Sequence, residues 1–442
     1  MSNGGIMQLA AIGEQDFFLV SNPQFSFFKK SYRRHTNFAI ETIEIAIDQN
    51  IGNNDSKFGR EMNVIIPRKG NLLHRLYLEI NVRVNVTNNN TTKISCANFV
   101  NSLIRNAQLK VGNTLIDSYT SQFKQMKTDL LNESDTIYQE TGSEGGKTIS
   151  TVAREINSAE KLRNIVPLII TNGAAASIKT QKLIYEFDFW FTENIGSSLP
   201  LDALSNHDIE LIFNTETINN MRGQFTSTEL EIETLKLYGD YVMLDGEEKR
   251  RFAQSSHEYL IEQKQEFKTK TNTNLSENVL NSSNYKLEFN HPVKYLMWAI
   301  NNPGNVGDPD QGPTYFVSQT FNSKDGDDGN AGSFTLQLNG ENRTPRDHPI
   351  MYYTRFYPNL YVGTMAPLDT VGFYSFALNP FDNEPSGSCN MSRIRDVNFI
   401  VSFANKNSNN DNDNISNKDL YIYGVNYNVF RITSGMGGLL YI

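Results

Sequence analysis

Cysteine is nearly missing from this chain. There are two in 442 residues, Cys96 and Cys389, almost three hundred positions apart, which excludes a disulfide framework and suits a reducing compartment. Long apolar runs are missing too. The longest candidate, Ile165 to Ile170, falls far short of the roughly 18 to 20 residues that span a bilayer, and the N-terminus has no basic-then-apolar secretory pattern. Synthesis and assembly in the cytosol are expected. Positive charge is in deficit: 40 Lys and Arg against 49 Asp and Glu give a formal charge of -9. A protein that coats nucleic acid neutralises phosphates with an excess of Lys and Arg, so direct nucleic-acid contact is not expected.

Signatures of catalysis are equally scarce. Gly142-Ser143-Glu144-Gly145-Gly146-Lys147-Thr148 resembles a phosphate-cradling loop, but its first glycine would fall at Thr141, and the residues before it are polar rather than an apolar strand. A surface loop is the expectation. The six histidines, His35, His74, His207, His257, His291 and His348, never approach one another at metal-ligand spacing. Asp325 to Gly329 and Asp411 to Asn414 hold oxygen ligands without the order of a calcium loop. No Gly-x-Ser-x-Gly elbow occurs. No catalytic, cofactor-binding or metal residue is assigned, no cofactor is expected, and the chain is read as a non-enzyme. The Asn-x-Ser/Thr triplets, such as those at Asn85 and Asn390, are read as chance in an Asn-rich chain.

What is present is a period of two. Leu76, Leu78, Ile80, Val82, Val84 and Val86 alternate with Tyr77, Glu79, Asn81, Arg83 and Asn85, the pattern of a strand with one buried face. The same alternation marks Ile43/Ile45/Ile47, Phe187/Phe189/Phe191, Ile209/Leu211/Phe213, Phe334/Leu336/Leu338 and Val397/Phe399/Val401/Phe403. Between Leu230/Ile232 and Leu235/Leu237 the phase slips by one, as a β-bulge requires. Helical spacing is confined to Cys96 to Ile104, Phe123 to Leu130, and Glu247 to Gln254, which follows Asp245 as an N-cap. Such a chain exceeds the roughly 250 to 300 residues at which one core stops growing. Short strands in both halves without alternating long helices therefore predict an all-β protein of two antiparallel sandwiches in tandem. Exposed loops are expected at Ser134 to Lys147, Asn301 to Gly332 and Asn405 to Asp419.

Two N-terminal segments invite a partner. Met7 to Leu19 is apolar, interrupted by Gly13, and is expected to pack under the fold or against a neighbour. Lys29, Lys30, Arg33 and Arg34 alternate with Phe25, Phe27, Phe28 and Tyr32. Contact with nucleic acid or anionic lipid is one reading; the favoured one is a first strand with its aromatics in the core and its cations paired to acids.

Several stretches together resemble the major capsid proteins of nucleocytoplasmic large DNA viruses, the double jelly-roll family of chloroviruses, iridoviruses and mimivirus-like viruses. They are Gly4 to Leu9, Asn22 to Phe28, Ser31 to Phe38, Phe189-Trp190-Phe191 with Leu199-Pro200-Leu201, Tyr241 to Ile261, and Tyr423 to Leu439. The sharpest is Phe376-Ala377-Leu378-Asn379-Pro380 running into Pro385 to Ile394. Asn71 departs from the acidic residue usual there, which puts a local turn contact in doubt. The resemblance implies two eight-stranded jelly rolls side by side, with an inner-face segment at 1–25, a first barrel at 26–245 and a second at 246–442. It also implies a homotrimeric, pseudo-hexagonal capsomer tiling an icosahedral shell, in contact with neighbouring capsomers, minor capsid and penton proteins, and at its inner face the internal membrane. The alternative is a carbohydrate-binding or host-attachment sandwich on a particle, with Tyr352, Tyr353, Phe356, Tyr357 and Tyr361 as its aromatic platform.

Overall fold

Alternation becomes a two-faced sheet. In the strand Leu72–Val86, Leu76, Leu78, Ile80, Val82 and Val84 are buried while Tyr77, Glu79, Asn81 and Arg83 remain partly in solvent. The computed structural model describes residues 4–11, 13, 20–30, 32–47, 57–86, 93–96, 98–131, 137–144, 147–154, 169–170, 177–271, 281–301, 313–314, 316–317, 319, 332–362, 370–403 and 418–441. Residues 1–38 form one unit and 39–442 another. The first unit holds the short helix Gly4–Ala10.

In the second unit the strands fall into two sets. The first runs β1 (Phe38–Ile45), β2 (Glu61–Ile65), β3 (Leu72–Val86), β4 (Lys93–Ile94), β5 (Ile104–Val111), β6 (Thr114–Thr120), β7 (Ile137–Glu144), β8 (Lys147–Arg154), β9 (Ile169–Ile170), β10 (Ser177–Glu186), β11 (Leu199–Pro200), β12 (Ile209–Thr215) and β13 (Leu230–Leu244). The second runs β14 (His257–Lys270), β15 (Asn281–Leu287), β16 (Pro292–Asn301), β17 (Ser333–Leu338), β18 (Glu341–Asn342), β19 (His348–Pro349), β20 (Val371–Ser375), β21 (Cys389–Asn390), β22 (Val397–Phe403), β23 (Asp419–Thr433) and β24 (Met436–Leu439).

Each set makes a jelly roll. In the first, the sheet β1-β13-β3-β10 lies over β2-β12-β5-β6; in the second, β14-β23-β16-β20 lies over β15-β22-β17-β18. The order repeats: the first strand of each set pairs with the last long one, and that strand with the third of its set. The pairings of β13 with β3 and of β23 with β14 and β16 are antiparallel, and long connections return the chain across each sandwich, the mark of Greek-key closure. The β13 register slips between Ile232 and Thr234, where the sequence phase slips.

Between the two sets, the helix Gly246–Gln254 starts at Asp245, whose carboxylate accepts from the Gly246 amide at 2.8 Å. The helices Phe99–Leu103 and Ser121–Leu131 stand at two of the other places where helical spacing occurs.

Four expectations need correcting. Phe187, Phe189 and Phe191 do not extend a strand: β10 ends at Glu186 and a helical turn begins at Trp190, with the three rings stacked 6.1 and 5.9 Å apart. Within Ser134 to Lys147, residues 137–144 pair with 147–154 as a hairpin. From the expected loop at 301–332, Thr314, Phe316, Val317 and Gln319 are buried, and Gln319 accepts from Trp298 Nε1 at 3.0 Å. Most of Asn405 to Asp419 lies outside the described residues. Finally, Phe25, Phe27, Phe28 and Tyr32 are not in a core and precede the first strand, which opens only at Phe38.

Candidate functional site: the inter-barrel seam and the exposed apolar surface

The seam between barrels grows from β16 and β23. Their side chains alternate between two cores. Leu296, Trp298, Ile300, Leu420 and Ile422 fill the second barrel, whereas Tyr295, Met297, Ala299, Tyr421, Tyr423 and Val425 join the first barrel's cluster. A sheet covered on both faces is usual for parallel α/β folds and unusual for an antiparallel one. Here the second cover is the first barrel itself. The helix Ser121–Leu131 supplies Phe123, whose ring meets Tyr423 edge-on at 5.4 Å, and Trp190 packs on Phe430 at 5.8 Å. Burying such side chains stabilises the contact by roughly 1.5–3 kcal/mol each.

A ladder of buried charge threads this apolar seam. Lys264 of β14 reaches across to the Asp117 carboxylate of β6 at 2.7 Å and to the Asp188 carbonyl at 3.1 Å. Lys127 bonds Asp188 at 2.9 Å and also Glu193. Lys294 bonds Glu262 and donates to the Asp382 carbonyl at 2.8 Å. Burial pushes the Asp117 carboxyl up to about 6, against the pull of Lys264. Burial works on Asp188 in the same direction, but Lys127, Lys264 and Lys124 outweigh it and hold that carboxyl well below the usual range. Lys264 stays above its ordinary value despite burial because Asp117 and Asp188 both face it.

A third contact closes the seam at the chain end. Asn206 donates from its amide to the Gly435 carbonyl at 3.0 Å and from Nδ2 to the Ser434 carbonyl at 3.1 Å. Gly435 takes φ +80°, as a tight turn needs. Gly437 has no positive φ; a Cβ there would lie 2.7 Å from side-chain atoms of both Leu204 and Phe430, which would have to shift. Asn71 shows what its amide does in place of an acid: Nδ2 donates to Asp202 at 2.6 Å while Oδ1 accepts from the Leu244 amide at 2.8 Å. The turn contact in doubt is therefore made.

The residues weighed for chemistry scatter. Gly142 to Glu144 lie in β7 and Lys147 and Thr148 in β8, paired strands, whereas a phosphate cradle opens a helix. His74 bonds the Phe191 carbonyl at 3.1 Å, His257 the Phe252 carbonyl at 2.7 Å, and His348 packs on Tyr352 and Tyr353. Among the described residues no group of three or more His, Cys, Asp and Glu could hold a metal; Asp325 to Gly329 and Asp411 to Asn414 lie outside them. Both cysteines are free thiols, with burial pushing Cys96 up to about 12. The aromatic run 352–361 turns inward: Tyr353 is buried and Tyr357 stacks on Tyr374 at 5.6 Å, leaving Phe356 as its exposed ring. It offers no open platform.

Exposed apolar side chains concentrate in residues 1–38. Phe27, Phe28 and Tyr32 are 87%, 100% and 80% exposed, with the Lys30 ammonium 5.4 Å above the Tyr32 ring. Ile6, Met7 and Leu9 of the N-terminal helix are exposed as well. Sequence reasoning flagged these residues and missed the seam ions. Lys294 had a signal, a lone cation inside the apolar run Val293 to Ile300.

Known proteins match along the whole chain. A family profile described as "Large eukaryotic DNA virus major capsid protein" covers residues 248–438, and "Major capsid protein N-terminus" covers 26–245. The major capsid protein of Pyramimonas orientalis virus is 33% identical over 461 residues, and that of Paramecium bursaria Chlorella virus 1 is 32% identical over 478; each alignment spans 99% of both chains. A chain of a quasi-atomic model of the PBCV-1 virus capsid superposes with a TM-score of 0.72 at 28% identity, covering 94% of this chain and 100% of that one. With identity of this order over its full length and two jelly rolls in the same arrangement, the chain belongs to the major capsid protein family of large eukaryotic DNA viruses and is a structural component of the virion capsid.

Proposed function

We propose that three copies of this chain close into a pseudo-hexagonal capsomer, six barrels around a threefold axis, which tiles the faces of an icosahedral shell. The observation that carries this is the seam. Two barrels with the same strand order are fused through a sheet buried on both faces, so each subunit presents two similar blocks at fixed spacing. Cyclic closure by a heterologous interface then needs no further flexibility. Such an obligate contact is expected to bury more than about 2,000 Å².

In this reading the barrel boundary lies near Asp245, with residues 1–25 as an inner-face segment. The exposed Phe25, Phe27, Phe28 and Tyr32 with Lys29, Lys30, Arg33 and Arg34 then meet the internal membrane or a minor protein, aromatics at the headgroup level and cations toward anionic lipid. Neighbouring capsomers, minor capsid and penton proteins are the other partners. The role is structural, without catalysis, cofactor or direct contact with nucleic acid, and assembly takes place in the host cytoplasm.

Light scattering after size exclusion tests the stoichiometry. The subunit is 50.1 kDa, so a trimer is 3 × 50.1 = 150.3 kDa. A species at that mass supports the reading; a stable dimer or tetramer contradicts it.

A further inference from the structure

The C-terminal hairpin meets the first barrel at one titratable acceptor. β23 and β24 are joined by a two-residue turn, Ser434 and Gly435, with φ +52° and +80°. Thr433 faces Met436 and Ile432 faces Gly437. In an antiparallel hairpin with a two-residue turn, the pair nearest the turn exchanges both hydrogen bonds and the next pair exchanges none. The Gly437 N–H therefore points away from β23. It meets Nδ1 of His207, in the loop of the first barrel before β12, at 3.3 Å. Gly112 of the β5–β6 turn lies close to the same ring: a Cβ added there would come within 3.2 Å of it.

We propose that neutral His207 latches the C-terminal hairpin onto the first barrel, beside the two Asn206 bonds to its turn, and that protonation of its imidazole loosens it. Nδ1 accepts the Gly437 N–H only while it carries no proton. Once it does, two N–H groups face each other and the bond is lost. Imidazole is the side chain whose charge ordinarily changes between pH 5 and 8, and His207 is partly exposed, so protons reach it.

The charged groups around the loop pair with the backbone or with one another. Arg68 donates to the His207 and Leu204 carbonyls, each at 2.8 Å, and lies 3.6 Å from Asp208. Lys110 stands on β5 near its turn, and on β23 Arg431 pairs with Glu258 at 2.6 Å. Among the described residues no charged side chain is hydrogen-bonded to the imidazole. The open hairpin binds one proton more at His207 than the closed one, so closure weakens as the pH falls. The inference is independent of the capsomer reading, since it concerns two barrels of a single chain.

Amide hydrogen exchange of the full-length protein at pH 8 and pH 5.5, corrected for intrinsic rates, reads the latch. Peptides covering 434–441 are expected to lose protection relative to the β14–β23 ladder by about fivefold at the lower pH, the factor worth one hydrogen bond of roughly 1 kcal/mol. His207→Gln keeps an acceptor that does not titrate and should abolish the pH dependence. His207→Ala should raise exchange at both pH values alike. Unchanged relative exchange in the wild-type protein would overturn the proposal without needing any variant to fold. So would a His207→Gln protein that keeps the wild-type pH dependence.

Discussion

Asp117 has no exposed side-chain surface and one cation within reach, Lys264 at 2.7 Å. Its folded carboxyl titrates at about 6, above the ordinary value near 4. Because that value is raised, its contribution to stability is fully present below about pH 4 and is lost as the pH rises through 6. Asp188, held low, contributes above the usual carboxylate range and stays constant in this window. Asp117→Asn should therefore gain on the wild-type protein by about 1.4 kcal/mol between pH 5 and pH 8, read from denaturant unfolding at both; a difference that does not change with pH would count against the assignment. Removing the cation acts in the other direction. Lys264→Met strands Asp117 and part of the support of Asp188, with an expected loss of about 3–5 kcal/mol at pH 7, visible in the same unfolding curves. None of these partners could be paired from the sequence: Asp117, Asp188 and Lys264 are far apart in the chain, and each alone looks like a solvated surface charge.

Strands with one wet face were legible because burial on one side leaves a period of two; β3, β12, β17 and β22 all stand where alternation placed them. Phe187, Phe189 and Phe191 kept that period beyond the strand because three rings stack into one core while the backbone turns. In β16 the period disappears, since Tyr295, Met297 and Ala299 are buried by the other barrel. A continuous apolar run does not say which surface covers each face. The C-terminal hairpin is the element whose role depends most on a single residue. Gly437→Val places two methyl groups where a Cβ already meets Leu204 and Phe430 at 2.7 Å. We expect a loss of about 1–3 kcal/mol and a lower yield of assembled protein, with wild-type Tm and yield as the contradicting result.

At the scale of the molecule, the fold and the family were readable because the matching segments keep one order from Gly4 to Leu439. What was not readable is the means by which two sandwiches become one block. That information sits in contacts between β6, the helix Ser121–Leu131 and Trp190 on one side and β14, β16 and β23 on the other, all distant in sequence. The same limit hid the fate of the N-terminal aromatics, whose spacing fits a core strand but whose rings face solvent in the single chain. An exposed segment of this composition matches a subunit whose remaining apolar surface is reserved for assembly. The most direct test is a cryo-EM reconstruction of the purified soluble particle. The account predicts three copies per particle and six barrel-sized lobes in a pseudo-hexagonal outline, with the two lobes of each subunit joined through β14, β16 and β23; a particle whose barrels move independently, or whose copies do not close around a threefold axis, would contradict it.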